Sequence, residues 1–152
     1  MNYGEPFVIG TLKIIPIPLT HDANEPCGYY IANRAKETIA FISDTGTLES
    51  VSLEADCYML EANYDEEGLQ ERLQSGDIYE GLHARLTSEF GHMSIQQVKA
   101  WLGANAAEES HIIILRKGVE DADRITGYKN IMYPDDKGRL EYQFGVNDLC
   151  PF

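Results

Sequence analysis

Four short segments carry the side chains that could do chemistry. Three of them follow an apolar run: residues 21–23 (HDA), residues 43–46 (SDTG) and residues 61–65 (EANYD). The fourth, residues 85–94 (RLTSEFGHMS), leads into a predicted helix. A histidine and an aspartate at strand ends can bind a divalent metal ion, the imidazole through a neutral nitrogen and the carboxylate by bridging two ions. A metal pair of this kind would suit hydrolysis of a phosphodiester or acyl bond.

Short apolar runs predict the strands that would position these segments. The predicted strands are residues 11–19, 28–32, 38–43, 57–61 and 112–115, with residues 142–144 as a candidate last strand. The third, fourth and fifth runs are nearly continuous, which is typical of strands covered on both faces. Pro16 and Pro18 place the first run at a sheet edge or at a strand end, because proline cannot donate to a strand ladder.

Helices are predicted between the fourth and fifth strands. Residues 66–73 and 79–88 have mixed polar and apolar faces, and Ser94 and Gln97 form the Ser-x-x-Gln pattern of a capping box. Trp101 falls on the apolar face of the helix that follows, where core packing is expected. The order of elements predicts an α/β fold. Because the helices come as one block, we expect them to cover one face of the sheet only. The other face would then be covered by a second copy of the chain or by another chain.

The composition excludes several function classes. With 12 basic and 25 acidic residues, the net charge is −13, so neither nucleic acid nor an anionic membrane is expected to bind the isolated chain. No apolar run approaches the roughly eighteen residues of a membrane span, and the first residues lack the pattern of a signal peptide. The three cysteines fit neither a disulfide framework nor a zinc ribbon. We therefore expect a cytoplasmic protein with reduced thiols.

Taken in order, the four segments resemble the C-terminal half of the metallo-β-lactamase superfamily, in its branch of exonuclease-like and tRNA-processing-endonuclease-like hydrolases. That branch has His-Asp-Ala, a strand ending in x-Asp-x-Gly, a strand ending in Glu-x-Asn-His-Asp, and then Arg-x-x-Ser-x-x-Gly-His-x-Ser. The resemblance covers residues 12–115 and leaves residues 116–152 as a divergent segment. It implies an αββα sandwich, of which residues 1–152 would form a single truncated domain with a mixed sheet and helices on one face.

The resemblance also implies roles for individual residues. His21 matches a metal-binding histidine, and Asp44 matches the carboxylate that bridges two ions, usually zinc or manganese. Asp44 and His92 would be the catalytic residues of a phosphodiesterase or nuclease type of hydrolase. The positions expected to contact the substrate are Asn63, Arg85 and Ser88. Arg116, which departs from the family pattern, is expected to contact the substrate because a guanidinium binds phosphate or carboxylate groups.

Three departures from the family pattern affect the metal site. The signature His-x-His-x-Asp-His is absent from the sequence, Arg116 stands where a last metal histidine is expected, and Tyr64 replaces a histidine. The two remaining ligands, His21 and Asp44, are fewer than the three that a catalytic zinc normally has. We therefore expect the chain to be inactive alone, with either zinc or manganese bound in a completed site or no metal at all.

Three hypotheses remain open at this point. The chain could be a hydrolase half, completed by a chain that carries the missing signature or paired with a second copy of itself. It could instead be a degenerate, non-catalytic scaffold in which Arg116 binds a phosphate or carboxylate directly. The acidic surface could also act as an inhibitor module that covers the basic groove of another protein.

Overall fold

The computed structural model describes residues 2–117 and 125–133, without the side chains of Arg116 and Lys117. In chain order the elements are β1 (Phe7–Ile9), β2 (Leu12–Pro18), β3 (Cys27–Ala32), β4 (Thr38–Ile42), β5 (Cys57–Ala62), α1 (Glu66–Ser75), α2 (Glu80–Thr87), α3 (Ile95–Asn105), β6 (His111–Lys117) and β7 (Asn130–Met132). The candidate strand at residues 142–144, and most of the divergent segment 116–152, lie outside the described residues.

The seven described strands form one mixed sheet in the order β1-β2-β3-β4-β5-β6-β7. The first four strands pair antiparallel, whereas β4, β5, β6 and β7 are mutually parallel. Adjacent parallel strands need a long crossover connection, and α1, α2 and α3 all lie in the crossover from β5 to β6. The prediction of an α/β fold with a mixed sheet is therefore confirmed.

The two prolines of β2 lie where no strand pairs with them on their outer side. The short strand β1 pairs only with Leu12 to Ile14, so Pro16 and Pro18 extend beyond it. On the inner side both prolines are opposite residues of β3. On the outer side the Pro16 carbonyl accepts a hydrogen bond at 3.0 Å from the N–H of Gly4, which precedes β1. Their missing N–H groups therefore cost little, as expected for prolines at a sheet edge.

One face of the sheet, the helix-covered face, packs against α3. Residues directly opposite one another on paired strands share a face, and fully buried side chains line up across this one. The buried side chains of α3 close the same core, and the Trp101 ring meets the Tyr58 ring edge-on at 5.8 Å, which confirms its predicted core packing. The helix-covered face consists of Ala40, Ile42, Tyr58, Leu60, Ile112 and Ile114.

The opposite face, the helix-free face, belongs to no helix-packed core in the described residues. Its side chains alternate with those of the first face, and most of them are half-buried. Cys57 and Ile113, on the two central parallel strands, are buried. The helix-free face consists of Cys27, Tyr29, Ile31, Ile39, Phe41, Cys57, Met59 and Ile113. The predicted arrangement, with helices on one face, is therefore confirmed.

Two of the three described helices, α1 and α3, begin at a capping side chain. Ser94 caps α3 in a complete capping box with Gln97, as predicted. Asp65 caps α1 by accepting the Gly68 N–H at 2.9 Å, and it also accepts a hydrogen bond from Gln96 of α3 at 2.6 Å. These bonds join α1 to α3. None of the helices in the described ranges is long and apolar enough to cross a bilayer.

Candidate metal centre

Three of the predicted site residues meet at one end of the sheet. His21 follows β2, Asp44 follows β4, and His92 lies between α2 and α3. One potential ligand atom from each of the three lies within 4.8 Å of the other two. The strands fix the backbone at these points, and the loops that follow expose the side chains.

His21 is oriented by a backbone carbonyl. Its Nδ1 lies 2.9 Å from the carbonyl oxygen of Gly91, and its Nε2 lies 3.2 Å from Oδ1 of Asp22. Only 17% of the side chain is exposed. The ring is therefore held at both nitrogens by oxygen atoms, and it lies 5.2 Å from the ring of His92 between centroids.

His92 has a buried ring nitrogen that faces two carboxylates. Its Nδ1 lies 3.1 Å from Oε1 of Glu61 and 3.9 Å from Oδ1 of Asp44. The shorter distance is within ion-pair range, but its geometry is not that of a hydrogen bond, and no described group gives this buried nitrogen one. A buried polar nitrogen without a hydrogen bond beside two carboxylates fits a position that a cation or a proton would occupy.

Glu61 connects the residues of the centre, although the sequence motif that contains it gave it no role. The residue is only 3% exposed. Its Oε2 accepts the backbone N–H of Asp44 at 2.7 Å, and its Oε1 accepts the side-chain amide of Asn63 at 2.9 Å. A buried carboxylate requires such partners. The sequence signal was a glutamate at the end of an apolar strand, beside the selected Asn63.

Asp44 adopts a left-handed backbone conformation at the mouth of the centre. Its φ is 56°, which is uncommon for residues other than glycine. More than half of its side chain is exposed, and the Ser43 hydroxyl donates to its Oδ2 at 3.3 Å. The hydrogen bond from its N–H to Glu61 holds this conformation, which directs a carboxylate oxygen toward His92.

The predicted substrate-side residues are distributed unevenly around the centre. Asn63 is joined to it through Glu61, and Arg85 through an ion pair of 3.2 Å with Asp22 that leaves the arginine largely exposed. Ser88 instead donates its hydroxyl to the Arg85 carbonyl at the end of α2. Arg116 belongs to β6, but its side chain lies outside the described residues.

Tyr64, at the family's histidine position, does not face the centre. It is buried in a small apolar cluster between α1 and α2, with Leu69 and Ile78. Burial raises the pKa of its phenol above the ordinary value. The residue therefore supports the helices.

The donor set fits a divalent cation. Two imidazoles and one carboxylate are ligands that zinc and manganese accept, and the two histidines are mostly buried. The structure brings together three candidate ligands, one more than the two predicted, because His92 joins His21 and Asp44. Three protein ligands are the number that a catalytic zinc site normally has.

Comparisons with known proteins bear on the fold. No protein-family model matches the sequence, and no curated protein matches it. Among solved structures, the metallo-β-lactamase fold protein YhfI from Bacillus subtilis matches with a TM-score of 0.58 and 16% identity, over 88% of this chain and 51% of YhfI. The chain has part of a metallo-β-lactamase fold. CmlA, a diiron β-hydroxylase from Streptomyces venezuelae, matches with a TM-score of 0.46 and 12% identity, over 74% of this chain and 24% of CmlA.

This metallo-β-lactamase-fold unit spans about half the length of YhfI. The fold that the motif order predicted, one half of the sandwich, is thereby confirmed. The candidate centre of the metallo-β-lactamase-fold unit lies at the strand ends, where the sequence placed its polar segments.

Proposed function

We propose that the chain is the metal-binding half of a metal-dependent hydrolase of the metallo-β-lactamase fold. The observation that carries the proposal is the meeting of His21, Asp44 and His92 within 4.8 Å, with a buried His92 nitrogen that lacks a hydrogen bond. The partial likeness to YhfI supports it at the level of the fold.

The residues of the centre would have different tasks in hydrolysis. When bound, a divalent ion supplies Lewis acidity toward an oxygen of the substrate. His21 and Asp44 would hold the ion, and Glu61 would keep both Asp44 and His92 in place through its two oxygens. Arg85, exposed at the rim beside Asp22, would attract an anionic group such as a phosphodiester despite the net charge of −13.

Metal content of the purified chain tests the proposal. The wild-type chain should retain about one zinc or manganese ion in native mass spectrometry. His21→Ala should lose the ion, whereas His83→Ala, which changes a histidine in α2, should keep it. A wild-type chain without metal, or a His21→Ala variant that binds as well as wild type, would contradict the metal assignment and favour the non-catalytic scaffold.

Two measurements distinguish the possible roles of His92. If His92 is a third metal ligand, the His92→Ala variant should bind zinc more weakly than wild type. If His92 is instead the catalytic residue predicted from the sequence, the variant should keep its zinc. It should then lose hydrolysis of a chromogenic phosphodiester, measured after addition of a chain that carries the missing signature. Glu61 lies 3.1 Å from the same nitrogen and would orient the ring in either role.

We also propose that the helix-free face is covered by a second layer of the sandwich, which the described residues do not contain. The face is apolar and half-buried, and the chain spans only 51% of YhfI. That layer would carry the His-x-His-x-Asp-His signature and complete the metal site. A second copy of the chain is the competing occupant, because it would cover the face without supplying the signature.

Sedimentation of the chain distinguishes the two occupants. A monomer that binds a hydrophobic dye, and loses much of this binding in Phe41→Asp, would support a missing layer. A dimer that Phe41→Asp dissociates would show that a second copy occupies the face. A monomer that binds no dye would contradict both, because the face would then already be closed.

A further inference from the structure

The segment of residues 88–92, between α2 and α3, contacts the loops that carry the candidate ligands. The carbonyl of Phe90 accepts the Asp22 N–H at 3.1 Å, and the carbonyl of Gly91 lies 2.9 Å from Nδ1 of His21. The same segment ends in His92, whose N–H donates to the Leu86 carbonyl at 3.1 Å. Its position therefore determines where the imidazole of His21 points.

Two glycines allow this segment to approach so closely. A Cβ atom on Gly91 would lie 2.3 Å from the carbonyl oxygen of Arg85, and one on Gly46 would lie 2.2 Å from that of Glu89. Real Cβ contacts with backbone atoms are essentially never this short. Because the blocking atoms are backbone, no side-chain rotation can relieve either clash. The segment is thus packed tightly both against α2 and against the loop after Asp44.

We infer that the carbonyl oxygen of Gly91 selects the nitrogen of His21 that can bind the metal ion. A carbonyl oxygen only accepts hydrogen bonds, so at 2.9 Å it requires a proton on Nδ1. A neutral imidazole carries one proton, which leaves the lone pair on Nε2. The inference rests on the proposed function, and it makes Gly91 a positioning residue for that function.

The contact on the other side of the ring is of a different kind. Nε2 lies 3.2 Å from Oδ1 of Asp22, another acceptor, but this contact is in ion-pair range without the geometry of a hydrogen bond, whereas the contact of Nδ1 with the Gly91 carbonyl is a hydrogen bond. A lone pair and a carboxylate this close repel each other unless a cation or a proton lies nearby. In the opposite tautomer, the lone pair of Nδ1 would face the Gly91 carbonyl, which is also repulsive. Metal-binding histidines are commonly oriented by such a carbonyl on their second nitrogen.

Nuclear magnetic resonance of the full wild-type chain tests the inference directly. Long-range ¹H–¹⁵N correlations distinguish the two tautomers of His21 in mildly alkaline solution, where free imidazoles are neutral. The metal-free chain should show a proton on Nδ1, and added zinc should shift the resonance of Nε2. A proton on Nε2 without metal, or zinc bound at Nδ1, would overturn the inference.

The same spectra separate the inference from the function on which it rests. If zinc shifts no histidine nitrogen while His21 keeps its proton on Nδ1, the proposed function fails and the orientation by Gly91 stands. If zinc binds at Nδ1, the metal site stands and the inference fails.

Glycine variants give a second readout. Gly46→Ala should displace residues 88–92 and weaken zinc binding by about ten- to hundredfold, the usual effect of disturbing a group that orients a metal ligand. Gly103→Ala is the matched control, because a Cβ there meets nothing within 4 Å and zinc affinity should be unchanged. A folded Gly46→Ala chain with wild-type zinc affinity would count against the inference. Should this variant not fold, the tautomer of the wild-type chain decides.

Discussion

The two faces of the sheet use the same strands but are closed in different ways. On β5, Tyr58 and Leu60 are fully buried against the core of α3, whereas Met59 between them is only half-buried on the helix-free face. The difference follows from the connections. All three described helices lie in the single crossover from β5 to β6. Of these, α3 packs on the helix-covered face, whereas α1 and α2 pack around the separate apolar cluster of Tyr64. The described chain thus supplies the helical layer for one face and none for the other.

The largest effect expected from this comparison is on the rate at which cysteines of the helix-free face are alkylated. Burial raises the pKa of the Cys57 thiol to about 12, with the nearby Asp56 as a smaller contribution. Since the thiolate is the reactive form, Cys57 should be alkylated about a thousandfold more slowly than a free thiol at neutral pH. Cys27, half-buried on β3, should react faster than Cys57.

Mass-resolved alkylation of the Cys150→Ser chain measures both rates, with the denatured chain as the control for full access. Equal rates for Cys27 and Cys57 would show that the centre of the face is no better shielded than its margin. A missing layer that binds the face should slow the labelling of Cys27.

A matched pair of substitutions on β5 tests the comparison by stability. Leu60→Ala removes a fully buried side chain from the helix-packed core and should lower the free energy of unfolding by about 3 kcal/mol. Met59→Ala, on the half-buried face, should cost about 1 kcal/mol, because less apolar area returns to water. Urea unfolding of both variants measures the difference. If both variants lost the same free energy of unfolding, the two faces would be equally shielded from water, which would contradict the difference between them.

The smallest effect concerns the bonds that hold the helical layer together. The Gly68 N–H, and then the Gln96 amide, lower the pKa of Asp65 below its ordinary value despite partial desolvation. Asp65→Ala should cost about 1 kcal/mol at neutral pH, which is typical of a lost helix cap. The stabilisation is present above the pKa of Asp65 in the unfolded chain, and it is lost as pH falls through the lower pKa of the folded state.

Thermal unfolding of Asp65→Ala and wild type at several pH values checks the direction of this pH dependence. The gap between the two melting temperatures should be constant near neutrality and shrink below about pH 4. A gap that widens in acid would contradict the role of the ionised carboxylate. Asp65→Asn is the control, because its amide oxygen can still cap the helix.

Much of the fold could be predicted because its signals are local. Continuous apolar runs located β3 to β6 within one or two residues, and Ser94 with Gln97 marked the start of α3. The strands β1 and β7 were missed, because three residues are too few to show an alternating pattern.

The candidate centre was only partly predictable, because its signals depend on contacts between distant segments. His21 and Asp44 were selected from ordered motifs, and the structure brings them together with His92. Glu61 was part of a matched motif but was given no role, since a glutamate at a strand end gives no sign that a histidine far along the chain will lie 3.1 Å away. Ser88 matched a motif, but its hydroxyl is hydrogen-bonded to the end of α2.

The left-handed backbone of Asp44 has a consequence for how this position could change. A glycine would adopt a φ of 56° without strain, so a requirement for stability alone would favour glycine here. A requirement for ion binding favours aspartate, because glycine has no carboxylate. The two requirements therefore select different residues at position 44. Related chains with glycine at position 44 should therefore keep the fold but no longer bind the metal ion.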